Sequence, residues 1–386
     1  MNRSFYCRCA ALFSGVAALA LPGAASAAAL EHTVPSFVRI FFEDGTYGEI
    51  GLSYAAPDLD GKGANVPAAL GGGRVDGNTG DLLKNYWAFS AALKGDFAFN
   101  DRLSWLLTFD QPYTAQTQYR QGSFPAGFSY AGTEADLDTY QLTAGLAYDA
   151  TPNVKLYGGL RAQRMDATAA LPILAGYRIS ADDDWGYGGY LGAAYHRPEI
   201  GLRVALTYAS RISHALPTTE SSTLFGSVND TTDVDTPQSV TLEAQTGVAA
   251  DTLVFGSIRW ADWSEFAIAP EMYADITELV LGERRPLVDY PEDWWTYNLG
   301  VARQFTPDFA ASFSVTYEPQ VNEVLTTLGP VDGRTTLNLG ASYEIGRTTV
   351  SAGLVYGWLG DATNLLDTKY RDGTVVGGGL RIGYAF

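Results

Sequence analysis

Five cationic side chains, Lys94, Arg161, Arg203, Arg259 and Arg381, and two acids, Asp96 and Glu243, share one parity within segments that alternate apolar with small or polar residues. A period of two sends them to the strand face opposite the apolar residues. An enclosed guanidinium can receive a carboxylate through a charge-assisted pair, and Arg161, Arg259 and Arg203 are the candidates for that contact. The competing role for the same residues is to pair with neighbouring acids and brace whatever fills the interior. Covalent chemistry has thinner support. Ser264-Glu265 and Ser213-His214 bring hydrolase residue types together, but adjacency does not supply the geometry of a triad. The three histidines, His32, His196 and His214, lack ligand spacing. Asp182-Asp183-Asp184 and the set Asp230, Asp233 and Asp235 lack a calcium-loop pattern and read as solvated faces. No metal, cofactor or nucleotide site is expected.

The elements that must position these residues are strands. Fourteen segments alternate with period two, from Thr46–Ala56 through Arg102–Pro112 and Gly201–Ile212 to Val375–Phe386. In the last, Val376, Gly378, Leu380, Ile382, Tyr384 and Phe386 share one face, and Gly377, Gly379, Arg381, Gly383 and Ala385 share the other. A wall that is greasy on one side and small or polar on the other inverts a soluble core if the greasy side meets lipid. No later run approaches the ~18 apolar residues of a spanning helix, so membrane residence must use strands. The expected fold is all-β, a membrane-spanning antiparallel up-and-down β-barrel of about 14 strands.

Connections support this reading because short and long ones alternate. Turn formers such as Ala150-Thr151-Pro152 and Thr306-Pro307-Asp308 make the short ones, and stretches near 57–85, 113–133, 167–184, 213–237, 265–293, 319–333 and 359–374 make the long ones. Periplasmic turns and external loops predict this asymmetry. Seven tryptophans, Trp87, Trp185, Trp260, Trp263, Trp294, Trp295 and Trp358, fall where a strand meets a long connection, as an interfacial belt requires. The third and fourth long loops carry Leu171, Ile173, Leu174, Leu216, Leu224 and Phe225, candidates either for an apolar capture groove or for packing that caps the barrel.

The chain opens with Arg3 and Arg8, an apolar run from Ala10 to Leu21, and Ala25-Ser26-Ala27, which reads as a signal peptide over residues 1–27. Residues 28–45 then form a short segment expected to plug the lumen, and 46–386 form the barrel. Both cysteines, Cys7 and Cys9, fall in the leader, so disulfide and thiol chemistry are not expected in the mature chain. Removing Arg3 and Arg8 takes the net charge from -18 to -20, which disfavours nucleic acid as a partner.

The pattern resembles the FadL family of outer-membrane transporters for long-chain fatty acids and hydrocarbons in Gram-negative bacteria. The marks are Gly51-Leu52-Ser53-Tyr54-Ala55-Ala56-Pro57-Asp58-Leu59, Ala135-Asp136-Leu137-Asp138, Ala205-Leu206-Thr207-Tyr208, Thr236-Pro237, Trp260 with Trp263-Ser264-Glu265-Phe266, and the terminal Gly383-Tyr384-Ala385-Phe386. The resemblance implies a hatch inside the barrel, here Pro35, Phe37, Val38, Ile40 and Phe41, a hydrophobic groove among long loops, and a side opening at the third strand, here Asp110, Gln111 and Pro112. The hatch is shorter than in family members and lacks their Asn-Pro-Ala turn. The function implied is passive, non-enzymatic transport of hydrophobic molecules or fatty acids across the outer membrane. Outer-membrane lipid and lipopolysaccharide, and the barrel-insertion machinery reading Phe386, are the expected partners. A diffusion porin for small polar solutes and an outer-membrane lipase or esterase are the alternatives.

Overall fold

The computed structural model describes residues 30–31, 37–120, 122–124, 129–321 and 324–386. The expected leader, Pro35 and His32 lie outside the described residues. Fourteen antiparallel strands form the wall: β1 (Tyr47–Val66), β2 (Tyr86–Phe97), β3 (Asn100–Asp110), β4 (Glu134–Thr151), β5 (Val154–Leu171), β6 (Tyr177–Arg197), β7 (Leu202–Ala209), β8 (Ser239–Ala249), β9 (Thr252–Ala261), β10 (Trp294–Gln304), β11 (Phe309–Glu318), β12 (Arg334–Ile345), β13 (Thr348–Leu359) and β14 (Lys369–Ala385). Each pairs with its sequence neighbour, and β14 closes on β1 from Tyr47↔Ala385 to Lys62↔Lys369.

Period-two alternation places the side chains as the sequence predicts. Leu354, Tyr356 and Trp358 of β13 and Val376, Leu380 and Ile382 of β14 are exposed, Leu354 by 66%, while Ser351 and Arg381 are buried inside. Exposed leucines around a polar interior make sense only when hydrocarbon surrounds the wall. At one end the strands join in tight turns that need unusual backbone, Asp251 at φ 56 and Gly346 at φ 64. Glycine carries the second of these without a Cβ penalty.

At the other end the long connections are more ordered than alternation alone suggests. β5 and β6 continue as a hairpin through Ala167↔Ala181 and Leu171↔Tyr177, so most of the expected 167–184 loop is strand. The expected seventh strand stops at Ala209. A new hairpin, Ile212–Ser222 with Gly226–Thr236, then folds back against β6. Its close approach depends on Gly186 and Gly188, where a Cβ would collide with the Ile212 side chain. The fifth loop contains an eleven-residue helix, Glu271–Leu281, that period-two reading did not anticipate. Met272, Tyr273 and Ile276 line its buried face, and Glu271, Asp275 and Glu278 lie toward Arg284 on the outer one. The buried Glu220 carboxylate accepts from the amides of Met272 (3.2 Å) and Tyr273 (3.1 Å), satisfying donors at the helix N-terminus.

The tryptophan expectation divides. Trp87, Trp185, Trp295 and Trp358 are exposed as a belt requires, but Trp263 (1% exposed) and Trp294 are buried. They join Tyr113, Phe266 and Tyr290 in edge-to-face contacts beneath the loops. Such rings contribute area burial plus about 0.5 to 1.5 kcal/mol per pair. Leu354 lies on the outward face of β13 between the Ile345–Arg347 turn and Trp358. Leu354→Arg should destabilise the barrel by about 2 to 4 kcal/mol in reversible unfolding from lipid vesicles.

Candidate functional site in the barrel lumen

The lumen holds a cavity of about 350 Å³. Its floor is the N-terminal helix α1, Phe37–Phe41, of which every residue is buried. Phe37 stacks on Tyr190 with ring centroids 4.2 Å apart, Phe41 lies 5.9 Å from Tyr157, and Phe42 lies 4.9 Å from His196. Val38 and Ile40 complete the apolar contact with the wall. Arg39 pairs with Glu49 of β1 and, at 3.6 Å, with Glu43. An arginine in such a place is tolerable only with acids beside it.

Nearer the loops, residues 30 and 31 cross the lumen. Leu30 accepts a hydrogen bond from the Thr114 amide (2.9 Å), and Glu31 bridges to Tyr113. The Glu31 carboxylate receives the Arg259 guanidinium through two bonds, 2.6 Å from Nη2 and 3.1 Å from Nε. Glu31 faces the large cavity. Leu30 faces a second, smaller one of about 40 Å³, whose lining is almost wholly apolar and includes Leu137, Ile179, Leu216, Leu287 and Tyr290. These two residues therefore stand between a greasy chamber under the loops and a mixed chamber in the lumen.

The three arginines singled out from sequence, Arg161, Arg203 and Arg259, line the same cavity. Arg259 is occupied by Glu31, with a further bond to Thr241 at 3.1 Å. Arg203 donates to Gln245 (2.9 Å), and its guanidinium lies 5.0 Å from the Phe42 ring. Arg161 donates to the Ser210 carbonyl, while its Nε lacks a partner. Lys94 holds the Glu43 and Gly45 carbonyls at 2.8 and 2.9 Å near the mouth and pairs with Asp96. Sequence reasoning missed Glu31 and Arg39, which lie before the first strand where no parity operates. It also missed Glu49, which the parity of β1 could have flagged.

The apolar loop candidates split. Leu171, Leu174 and Leu216 are buried in one cluster with Ile173 packed against it, and of these Leu216 reaches the small cavity. Leu224 (56% exposed) and Phe225 stand at the tip of the fourth-loop hairpin. The hydrolase pairs do not assemble. Ser213 is exposed and His214 buried on opposite strand faces, and Ser264 donates instead to Asp293 at 2.7 Å. Burial pushes the Asp293 carboxyl up, but its bonds from Ser264 and Trp260 together hold it below the usual carboxylate range. Among the described residues no three His, Cys, Asp or Glu side chains gather as a metal site.

The wall is interrupted beside the cavity. The β2–β3 ladder runs from Phe97↔Asn100 only to Ala91↔Phe109. Beyond it β3 ends at Asp110, Pro112 removes a donor, and the Phe89 amide bonds to the Gln111 side chain (2.8 Å) in place of a backbone carbonyl. Pairing resumes past the gap, where Lys84 donates to the Gln116 carbonyl (2.9 Å). Asp110, Pro112, Ala88 and Phe89, which border this opening, all line the cavity.

A lipid-facing fourteen-stranded barrel with an occupied lumen is the architecture of an outer-membrane transport protein. The family model described as outer membrane protein transport protein (OMPP1/FadL/TodX) matches residues 12–375, and the chain belongs to that family. Its fold resembles the crystal structure of a Pseudomonas aeruginosa FadL homologue, with a TM-score of 0.72 and 14% identity over 90% of this chain and 91% of that one. It also resembles the Pseudomonas putida toluene transporter TodX, with a TM-score of 0.63 and 14% identity over 95% and 99%. The Ralstonia pickettii toluene transporter TbuX gives 0.59 and 15% over 89% and 90%. No curated protein matches the sequence significantly.

Because Glu31 and Arg259 hold residues 30–31 across the lumen, Arg259→Met leaves a buried carboxylate unpaired, at a cost of about 3 to 5 kcal/mol. The segment should release. In planar bilayers the variant should conduct in discrete openings where the unaltered protein is nearly silent; equal conductance would show that the pair does not hold the lumen shut.

Proposed function

We propose that the protein moves hydrophobic molecules, from aromatic hydrocarbons to long-chain fatty acids, inward across the outer membrane without an energy source. The loops collect the molecule, with Leu224 and Phe225 offering exposed apolar surface and the Leu216 chamber accepting it beneath. Burial at about 25 cal/mol per Å² of apolar area supplies the affinity. Displacement of residues 30–31 and of the α1 hatch admits it to the lumen, and it leaves sideways into the bilayer through the β2–β3 gap. The observation that carries this reading is the coincidence of that gap with the cavity wall. Two of the structural relatives are themselves described as toluene transporters, which favours apolar cargo.

Outer-membrane lipid and lipopolysaccharide are the proposed surroundings of the belt and loops. The exposed terminal Phe386 is the proposed contact for the insertion machinery. A diffusion porin needs an open aqueous bore, and the packed α1 helix and the Glu31–Arg259 pair argue against it. Uptake into vesicles provides the test. Vesicles containing the protein should take up radiolabelled toluene or oleate several-fold faster than empty vesicles, while a small sugar should enter no faster. Equal rates for the apolar probes would defeat the proposal.

A further inference from the structure

Among the described residues, buried carboxylates facing the lumen are matched by partners with one exception. Glu31 holds Arg259, Glu49 holds Arg39, Glu318 accepts from Arg334 (2.9 Å) and Thr296 (3.0 Å), and Glu243 is also engaged. Asp110 is 5% exposed, and neither carboxyl oxygen has a hydrogen-bond partner. A buried polar atom left unmatched costs about 1 to 3 kcal/mol, more if charged, and invites a functional explanation.

Its position supplies one. Asp110 is the last residue of β3, one step past the final rung to β2, so it forms the inner sill of the gap and lines the cavity. Thr108 shares its face of the strand. Arg161, whose Nε is likewise unpartnered, lies two strands along the same wall, in register with Thr108 through Thr143 and within electrostatic reach of Asp110. The outer side of the same gap carries Trp87 and Phe89, both exposed. A molecule in the gap thus meets an acceptor group inside and an apolar surface outside.

We propose that Asp110 is a specificity-determining residue, selecting apolar molecules that carry a neutral hydroxyl donor, such as alcohols and phenols, over both plain hydrocarbons and carboxylates. The hydroxyl donates to an Asp110 oxygen while the apolar body points into the seam, so the molecule leaves tail first. A carboxylate head brings no donor and meets another carboxyl at the sill. This inference rests on the transport reading above and narrows its cargo.

The experiment compares three probes on one skeleton, ethylbenzene, 2-phenylethanol and phenylacetate, for binding to the detergent-purified full-length protein and for uptake into vesicles. The alcohol should bind about tenfold more tightly than the hydrocarbon, the advantage of one hydrogen bond to a buried acceptor that is otherwise unmatched. Asp110→Ala should bring the alcohol-to-hydrocarbon ratio close to one. Asp110→Asn, which keeps the shape and one acceptor but removes the charge, should retain part of the preference and raise phenylacetate binding relative to both other probes. Thermal melting establishes that each variant is folded, and a parallel Thr336→Val variant, elsewhere on the wall of the same cavity and folded in the same way, should alter the ratio far less. An alcohol-to-hydrocarbon ratio near one in the unaltered protein, or one that Asp110→Ala does not change, overturns this proposal while leaving transport intact. Failure of all three probes to bind or cross faster than in protein-free controls overturns both.

Discussion

In hydrocarbon every backbone amide and carbonyl must find a partner within the protein, because an unmatched one costs several kcal/mol and no water is present to take its place. That demand dictates the closed ladder from β1 round to β14 and the pairing of Tyr47–Lys62 with Lys369–Ala385 that seals it. It also gives meaning to the one place where β2 and β3 part. A break in such a ladder is expensive, and here a Gln111 side chain substitutes for the missing carbonyl at Phe89. The gap lies beside the lumen cavity that Arg161, Arg203 and Arg259 line.

Inside, the constraint runs the other way. The small-residue face leaves room, and the charges on it are tolerable only when matched. Arg39 with Glu49 and Arg259 with Glu31 both use the N-terminal segment as one partner, so the same pairs that neutralise the wall fix the segment in the lumen. Loops finish the enclosure by a different chemistry. Trp263, Tyr290 and Trp294 supply aromatic area, and Glu220 ties the fourth loop to the helix of the fifth. Electrostatics fixes the interior and apolar packing closes the lid.

Much of this was legible in the sequence because period two is a simple code. It placed all fourteen strands, the lumen side of Arg161, Arg203 and Arg259, and the outward faces of β13 and β14. It extended the seventh strand to Ile212 because alternation continues across Ser210-Arg211, where the chain in fact turns back as a hairpin. It read Trp263 and Trp294 as belt residues because parity does not distinguish a ring facing lipid from one facing the space beneath a loop. The pairing of Glu31 with Arg259 joins residues 228 positions apart and leaves no local trace. The helix at Glu271–Leu281 falls outside what a period of two registers.

The most direct measurement is to sew the gap shut. Continuing the register from Ala91↔Phe109 sets Phe89 opposite Gln111, both facing outward, so cysteines at these two positions can bridge β2 and β3. The only other cysteines, Cys7 and Cys9, lie in the expected leader. Uptake of an apolar probe by vesicles holding this double variant should stop on oxidation and return on reduction. Equal uptake in the oxidised and reduced states would contradict lateral exit through this seam.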